Sequence, residues 1–408
     1  MKRVVVTGLG AITPVGNDIE TMWENLIAGK HGIGPITRFD LTGYKASLAA
    51  QVKDFDPLEY LEKGEVRRLD LYSQYAIAAA TQAVKDSGIE GKVEPERFAT
   101  CFGSGIGGMT TFETETEKLI SGGPRKVSPL FIPMMIPNLA AGNIAIRFNA
   151  KGSCTAVITA CASGTDSIGS AFRAVKHGYA DAAIAGGSEA VVTPMGVSGF
   201  SNMTALTSSS DPNAASLPFD KRRAGFVIGE GSGVVILEEY EHAVARGAKI
   251  YAEMTGYGTT CDAHHITAPT PTGEASARAI SDAYKESGSP EGNIYINAHG
   301  TGTPLNDAAE TKAIKLAFDG KTENLLVSST KSMTGHMLGA AGAVEAIVAI
   351  LTLYNGVVPP TIGLNEPDSE CDLDYVPLKA RHLTPDLAMS VSLGFGGHNA
   401  CVAFSKTV

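Results

Sequence analysis

Three sequence elements occur twice in this chain in the same order, and this internal repeat constrains the fold more than any other feature. The pairs are residues 6–10 with 254–258, residues 159–161 with 334–336, and residues 229–233 with 394–398. Repetition in order indicates a duplicated architecture. We predict two related halves, residues 1–250 and 251–408, with insertions in the first, where the elements are more widely spaced. Chance similarity between glycine-rich turns is the alternative.

Strand-like and helix-like segments alternate along both halves. Apolar runs predict strands at 4–7, 98–103, 156–160, 182–185, 234–238, 251–255, 294–298, 325–329 and 401–404. Helical periodicity predicts helices at 19–28, 71–87, 166–177, 275–287, 308–318 and 340–354. This alternation is typical of an α/β protein with mostly buried sheets. Residues 110–137 contain several glycines and prolines, which predicts a loop-rich insertion that covers a site or forms a subunit contact.

Composition excludes some classes of protein. The net charge of −10 disfavours general affinity for nucleic acid. Residues 337–354 are strongly apolar, but Glu345 interrupts them, so we predict a buried helix rather than a membrane span. The six cysteines are scattered without a CxxC pair, and the first residues do not resemble a secretory signal. We therefore predict free thiols in the reducing cytoplasm.

Cys161 is the candidate nucleophile. A short apolar run precedes it, and a helical pattern follows it, so the sequence places this thiol at a strand-to-helix turn. The positive end of a helix lowers the pKa of a thiol and increases its thiolate fraction. A small buried core cysteine is the alternative interpretation.

Two histidines are candidates to work with this thiol. His299 follows one predicted strand, and His336 follows another after a short turn. Ligand sites in α/β sheets lie beyond the carboxyl ends of strands. If the repeat is real, His336 is the pseudo-symmetric equivalent of Cys161. Structural hydrogen bonding is the alternative role, and His264 and His265 are interpreted as structural because metal-site spacing is absent.

A lysine, a glutamate and two glycine-rich loops complete the candidates. Lys331 is expected to keep a nearby imidazole neutral, and Glu345 to hold Lys331 in place. Backbone N–H groups around Phe395 are expected to stabilise an oxyanion, with Phe395 as a gate. Residues 103–108 loosely resemble a dinucleotide-binding loop, but we reject nucleotide binding because a following amphipathic helix and a suitably spaced acidic residue are not evident.

Together these motifs resemble those of the elongating β-ketoacyl-[acyl-carrier-protein] synthases of the thiolase superfamily. The resemblance covers nearly the whole chain and rests on residues 159–164 (TACASG), 299–303 (HGTGT), 331–336 (KSMTGH) and 394–399 (GFGGHN). It implies a duplicated, five-layered αβαβα thiolase fold and a homodimer. It also implies decarboxylating Claisen condensation of acyl-ACP with malonyl-ACP, without a metal or redox cofactor.

The resemblance also implies residue roles. Cys161 would carry the acyl chain as a thioester, while His299 and His336 would support loss of CO2 from malonyl-ACP. The N–H groups of Cys161 and Phe395 would bind the oxyanion. Further implied roles are pantetheine binding by Thr301 and Thr303, lining of the acyl pocket by Ile106, and docking of the acidic carrier protein by Lys63, Arg67, Arg68, Arg125 and Lys126.

Some features differ from the family pattern, and other functions stay open. Val391 and Leu393 replace an asparagine and a phenylalanine that usually precede the gate loop, and Asn306 replaces a frequent glycine, which we expect to alter only a turn. The alternatives are a polyketide-type ketosynthase, a coenzyme A thiolase or acyltransferase of the same fold, and a cysteine hydrolase. A thiolase would normally carry a second cysteine where this chain has His398. A non-enzymatic chain-length-factor partner would lack Cys161.

Overall fold

The computed structural model describes residues 1–407, and its first half contains eight strands and nine helices. The strands are β1 (Val4–Ile12), β2 (Ile33–Pro35), β3 (Leu48–Ala50), β4 (Phe98–Gly103), β5 (Cys154–Val157), β6 (Ala182–Glu189), β7 (Ile228–Gly229) and β8 (Gly231–Glu239). The helices are α1 (Ile19–Ile27), α2 (Lys63–Val66), α3 (Leu71–Ser87), α4 (Met109–Gly122), α5 (Phe131–Met135), α6 (Leu139–Arg147), α7 (Ser163–Lys176), α8 (Pro194–Asn202) and α9 (Tyr240–Ala245).

The second half contains a corresponding but shorter set of elements. The strands are β9 (Ala252–Cys261), β10 (Ile294–Asn297), β11 (Leu325–Ser328), β12 (Val357–Val358), β13 (Arg381–His382), β14 (Leu387–Gly394) and β15 (His398–Ser405). The helices are α10 (Glu274–Glu286), α11 (Pro304–Ala317), α12 (Lys331–Thr334) and α13 (Ala341–Asn355).

The strand order shows the duplication directly. Ten strands follow the order β11-β10-β14-β15-β9-β1-β8-β6-β4-β5. The central strands are β9 and β1, and outward from each of them the five strands of its half have the same arrangement. In each half, the three outermost strands pair in parallel: β5, β4 and β6 in the first half, and β11, β10 and β14 in the second. The remaining strand pairs within each half are antiparallel. The halves join through only three residue pairs between β1 and β9. The structure thus contains two copies of one sheet joined at a short seam.

Glycines in the repeated segments 6–10 and 254–258 allow the same close contact between a strand and a helix in both halves. A Cβ atom on Gly10 would lie 2.0 Å from the carbonyl oxygen of Ala79 in α3, and a Cβ atom on Gly258 would lie 2.0 Å from that of Ala279 in α10. No side chain fits at such a distance. The glycines recur because a helix backbone lies directly on the strand at each place.

Helices form three layers around the two five-stranded sheets. Helices α3 and α6 pack on the strands of the first half, and α10 packs on β9 and β15 of the second, with α11 beside it. Helices α7 and α13 contact strands of both halves and pack on each other, so they form the central layer. This is the five-layered αβαβα arrangement. The apolar stretch Leu338–Asn355 is long enough to span a membrane, but 89% of it is buried within the fold.

Several predicted elements differ from the observed ones. The segment 110–137 is mainly helical, with α4 and α5, because Gly122 falls only at the end of α4 and Pro133 falls in the first turn of α5, where the helix needs no N–H donor. The strand predicted at 156–160 ends at Val157. Strand β14 was missed, although its eight residues are mostly buried. A small sheet of β2, β3 and β7 was missed as well.

Candidate active site

Cys161 lies in a tight turn between β5 and α7. The backbone of Ala160 has a φ of +51°, a strained value for a residue with a side chain. The Ser163 hydroxyl accepts a hydrogen bond from the N–H of Thr159 and donates one to the carbonyl of Ala160, at 2.9 and 2.7 Å. These bonds hold the strained turn, which places Cys161 two residues before the start of α7.

Burial dominates the protonation state of this thiol. Cys161 is only 7% exposed, and burial, together with a smaller effect of the Glu189 carboxylate, raises the pKa of its thiol to about 12. The Lys331 ammonium and the backbone N–H groups of Phe395 and Cys161 lower the pKa in part. The expectation of a lowered thiol pKa is therefore wrong, since desolvation outweighs the favourable charges.

The two histidines lie against each other. The ring centroids of His299 and His336 are 5.1 Å apart, and the rings meet at 85°. His299 follows β10, and its backbone N–H donates to the Glu310 carboxylate at 2.6 Å. His336 follows α12, and its N–H donates to the carbonyl of Val227 at 2.7 Å. The backbone at each histidine is thus held by a different part of the chain.

Burial and one cation keep both imidazoles uncharged. Burial lowers the pKa of His299 and His336 well below 6.5, and the Lys331 ammonium lowers both further. Lys331 is itself 1% exposed and donates to the Glu345 carboxylate at 2.5 Å. Both histidines are therefore neutral at pH 7, and each offers a proton donor and a proton acceptor.

One cavity of about 430 Å³ brings the predicted residues together. Its walls include Cys161, His299 and His336, which come from both halves of the chain. Thr301 and Thr303 also line it, and their hydroxyls share a hydrogen bond of 3.0 Å. A thiol, two neutral imidazoles and two hydroxyls thus face the same space.

The loop of residues 394–397, which contains the predicted gate Phe395, forms part of the cavity wall. Phe395 and Leu393 line the cavity, while Val391 is buried in the core. The Phe395 ring lies 6.5 Å from that of Phe200, Phe200 lies 5.7 Å from Phe226, and Phe226 lies 5.1 Å from the imidazole of His336. Aromatic rings therefore run from the gate to the histidine.

The remaining predicted residues lie outside the cavity. Ile106 does not line the cavity, but it packs against the apolar cluster that contains the lining residues Cys161 and Leu338. His264 and His265 are exposed, and no three His, Cys, Asp or Glu side chains among residues 1–407 are grouped closely enough to hold a metal. All five proposed docking residues are exposed, and within the described chain none of them forms an ion pair (Lys63, Arg67, Arg68, Arg125, Lys126).

Two expectations about loops need correction. A helix, α4, does follow the glycine-rich residues 103–108. The backbone N–H groups of that loop are nevertheless occupied, because Gly105, Ile106 and Gly107 donate to the carboxylate of Glu189. Asn306 lies in helix α11 rather than a turn, lines the cavity, and donates to Asp307 at 3.2 Å.

Sequence reasoning missed the buried carboxylates that hold these loops. Glu310 accepts from the N–H groups of His299 and Gly300, and its pKa is raised to about 7 by burial. Asp307 accepts from the N–H groups of Phe219 and Gly302. The available signal was their spacing, because two acidic residues three positions apart fall on one face of a helix.

With this geometry established, the chain belongs to the β-ketoacyl synthase family. Residues 1–243 match the family described as "Beta-ketoacyl synthase, N-terminal domain", and residues 251–365 match "Beta-ketoacyl synthase, C-terminal domain". The family resemblance seen in the sequence is confirmed.

Two relatives carry a more specific name. Proteins from Synechocystis sp. and from Staphylococcus aureus (strain COL) are each 51% identical, over 99% of this chain and 98% of their own length. Both are named "3-oxoacyl-[acyl-carrier-protein] synthase 2".

Solved structures confirm the thiolase-type fold. An ishigamide ketosynthase/chain length factor has a TM-score of 0.93 at 35% identity, and a β-ketoacyl synthase from Burkholderia phymatum has a TM-score of 0.93 at 33% identity. A ketosynthase bound to its type II polyketide acyl-carrier protein and a hexaketide has a TM-score of 0.92 at 34% identity. All three comparisons cover 100% of both chains.

Proposed function

We propose that this protein condenses acyl-ACP with malonyl-ACP to give 3-oxoacyl-ACP, ACP and CO2 in fatty-acid chain elongation. The supporting observation is the single cavity that holds Cys161, His299 and His336. The name shared by relatives with 51% identity over nearly the full chain supports the same reaction and the acyl carrier protein as partner.

In the first step, the sulfur of Cys161 attacks the thioester carbonyl of acyl-ACP. The bond from this carbonyl to the ACP sulfur breaks, so the acyl chain transfers to the enzyme and ACP leaves as its free thiol. Because burial raises the pKa of the thiol to about 12, its proton must leave as the sulfur attacks. The neutral imidazoles of His299 and His336 line the same cavity and are available to accept it. A covalent intermediate divides one difficult condensation into two easier steps.

In the second step, malonyl-ACP occupies the cavity and loses CO2. A neutral imidazole N–H donates to the malonyl thioester carbonyl and stabilises the negative charge that develops as the carboxylate leaves. The resulting carbanion attacks the carbonyl carbon of the acyl-Cys161 thioester. A carbon–carbon bond forms, the bond to the Cys161 sulfur breaks, 3-oxoacyl-ACP leaves, and the sulfur regains a proton from solvent. The N–H groups of Cys161 and Phe395, which interact with the Cys161 sulfur, bind the oxyanion in this proposal. Thiol, imidazole and N–H groups carry every step, so we propose that no metal or redox cofactor takes part.

Other features support further parts of the proposal. Strand β5 is the outermost strand and is largely exposed, and Ile158 beside it is 53% exposed. An unpaired edge favours pairing with another chain, so we propose a homodimer joined there. The exposed cations at Lys63, Arg67 and Arg68 suit an acidic carrier protein. The six free cysteines suit a cytoplasmic location.

Intact-mass measurement after incubation with acyl-ACP tests the function. We expect an acyl adduct on the wild-type protein and none on Cys161→Ala. His299→Ala and His336→Ala should retain the adduct but lose CO2 release from malonyl-ACP. A missing wild-type adduct, or an adduct that persists in Cys161→Ala, would contradict the proposed function.

A further inference from the structure

Glu189 is a buried carboxylate that the proposed reaction does not use. It is the last residue of β6, is fully buried, and has no ion-pair partner among the described residues. A buried charge is costly unless hydrogen bonds compensate it. Five donors converge on its two oxygens, so the surrounding structure is built to hold an acceptor at this position.

Each oxygen of this carboxylate holds a different set of donors. Oε1 accepts from the Ser104 hydroxyl at 2.9 Å and from the N–H groups of Ile106 and Gly107 at 3.1 and 3.4 Å. Oε2 accepts from the N–H groups of Gly105 and Gly339 at 2.8 and 3.0 Å. Gly339 belongs to the second half of the chain. The carboxylate therefore joins the turn after β4 to the segment between His336 and α13.

Glycine is required at two of these contacts. A Cβ atom on Gly105 would lie 2.8 Å from Glu189 Oε2, and a Cβ atom on Gly339 would lie 2.7 Å from the same oxygen. The Gly339 Cβ would also lie 2.4 Å from the backbone nitrogen of Gly105. Both backbones thus approach the carboxylate as closely as their geometry permits.

The turn held by Glu189 carries Ile106. The Ile106 side chain packs against the apolar cluster that includes Cys161 and Leu338, while its backbone N–H is bound to Glu189. The carboxylate is also near enough to the thiol to affect its charge. The carboxylate therefore holds the backbone of Ile106 while the side chain of Ile106 packs against the cluster that contains Cys161.

We propose that Glu189 is a positioning residue for acyl-chain selectivity: by holding the Ser104–Gly107 turn against the segment after His336, it fixes Ile106 behind Cys161 and limits the length of acyl chain that the enzyme accepts. This inference rests on the proposed function. Glu189 does not contact the reacting atoms, so its effect appears in selectivity between chains rather than in malonyl decarboxylation.

Glu189→Gln is the direct test, because a glutamine replaces one accepting oxygen with an NH2 donor. Either the turn or Gly339 then loses its acceptor and faces another donor. We expect the ratio of acylation rates for long and short chains to change by about tenfold, the effect of losing a hydrogen bond to a charged acceptor. Malonyl-ACP decarboxylation should stay within about twofold of wild type, and Glu189→Asp, which keeps both acceptors, should recover part of the ratio.

Glu238→Gln is the matched control. Glu238 is also fully buried and accepts hydrogen bonds from Thr7, His242 and Arg246, but it does not line the cavity. Its substitution should destabilise the protein without changing the acylation ratio. If Glu189→Gln does not fold, Gly105→Ala provides a second test, because the added methyl group pushes the turn away from an intact carboxylate.

The assay is the rate of acyl-adduct formation with a graded series of acyl-ACPs, measured by intact mass. A changed ratio in Glu189→Gln or Gly105→Ala, with an unchanged ratio in Glu238→Gln, supports the proposal. If the wild type is acylated but the variants slow acylation equally for all chain lengths, this proposal is overturned and the proposed function still holds. A wild type that forms no adduct overturns both.

Discussion

Replacing Lys331 by methionine should separate the electrostatic role of this residue from its structural role. Lys331 and Glu345 are both almost completely buried, and their ion pair is 2.5 Å long. Removing one member leaves a charge buried without compensation, which costs about 3–5 kcal/mol of folding free energy. Lys331→Met should therefore lose about that much stability in urea unfolding.

Replacing both members should restore stability. Apolar substitution of a whole buried ion pair is commonly neutral or stabilising. The double variant Lys331→Met with Glu345→Leu should accordingly recover most of the stability that the single variant loses. Comparison of the two variants with Glu345→Leu alone completes a double-mutant cycle for the pair.

Activity should not recover with stability. In the wild type, burial and the Lys331 ammonium lower the pKa of His299 and His336, so the neutral imidazoles persist well below pH 6.5. Without the ammonium, these pKa values rise, and protonation begins at higher pH. The acid side of the pH profile for malonyl-ACP decarboxylation should move to higher pH in both the single and the double variant.

The pH profile is obtained by measuring the rate of CO2 release between pH 5 and pH 8, about the range in which histidine titrates. A double variant with wild-type stability and an unshifted acid limb would refute the electrostatic role of Lys331. A double variant as unstable as the single one would refute the assignment of the stability loss to the unpaired carboxylate.

Two further predictions concern the fold and the partner. Gly258→Ala should destabilise the protein by about 1–3 kcal/mol or more in urea unfolding, because its Cβ would lie 2.0 Å from the carbonyl oxygen of Ala279. Reversing the charge of Arg67 and Arg68 to glutamate should raise the KM for acyl-ACP by about tenfold, since like charges oppose docking, and should leave the rate with a small acyl-pantetheine thioester unchanged.

Each of these predictions has a control variant. Gly199→Ala lies in α8 with no atom within 4 Å of the new Cβ, and it should leave stability unchanged or raise it. Lys285→Glu reverses an exposed charge on α10 and should leave the KM for acyl-ACP unchanged. Equal losses in Gly258→Ala and Gly199→Ala, or equal effects of the charge reversals at both surfaces, would contradict the reasoning.

The local pattern of the chain was sufficient for much of the fold. Strand β4 and helix α3 have the bounds that the sequence predicts, because an apolar run and a helical stripe each end at clear turn signals. Strand β14 was missed because its alternation of small and apolar residues is weak and pairing with β10 and β15 stabilises it. The segment 110–137 was misread because Gly122 lies at the end of α4 and Pro133 lies in the first turn of α5, where a missing N–H breaks no helical hydrogen bond.

Proximity in the site was predictable only in part. The repeat placed Cys161 and His336 at equivalent positions, and the strand-end argument added His299. The aromatic contacts among Phe395, Phe200 and Phe226 could not be inferred, because they depend on how segments far apart in the chain pack together.

By itself, the sequence determined the duplication, the α/β class and the residue types capable of condensation chemistry, since these follow from local periodicity and chemical identity. Only the tertiary structure decided the protonation state of the Cys161 thiol and the roles of Glu189 and Glu310. The physical reason is that desolvation and hydrogen-bond satisfaction are sums over neighbours from distant parts of the chain. The position of a helix terminus can be predicted from a few adjacent residues. The burial that raises the pKa of the Cys161 thiol, and outweighs the effect of the helix terminus, cannot be predicted in this way.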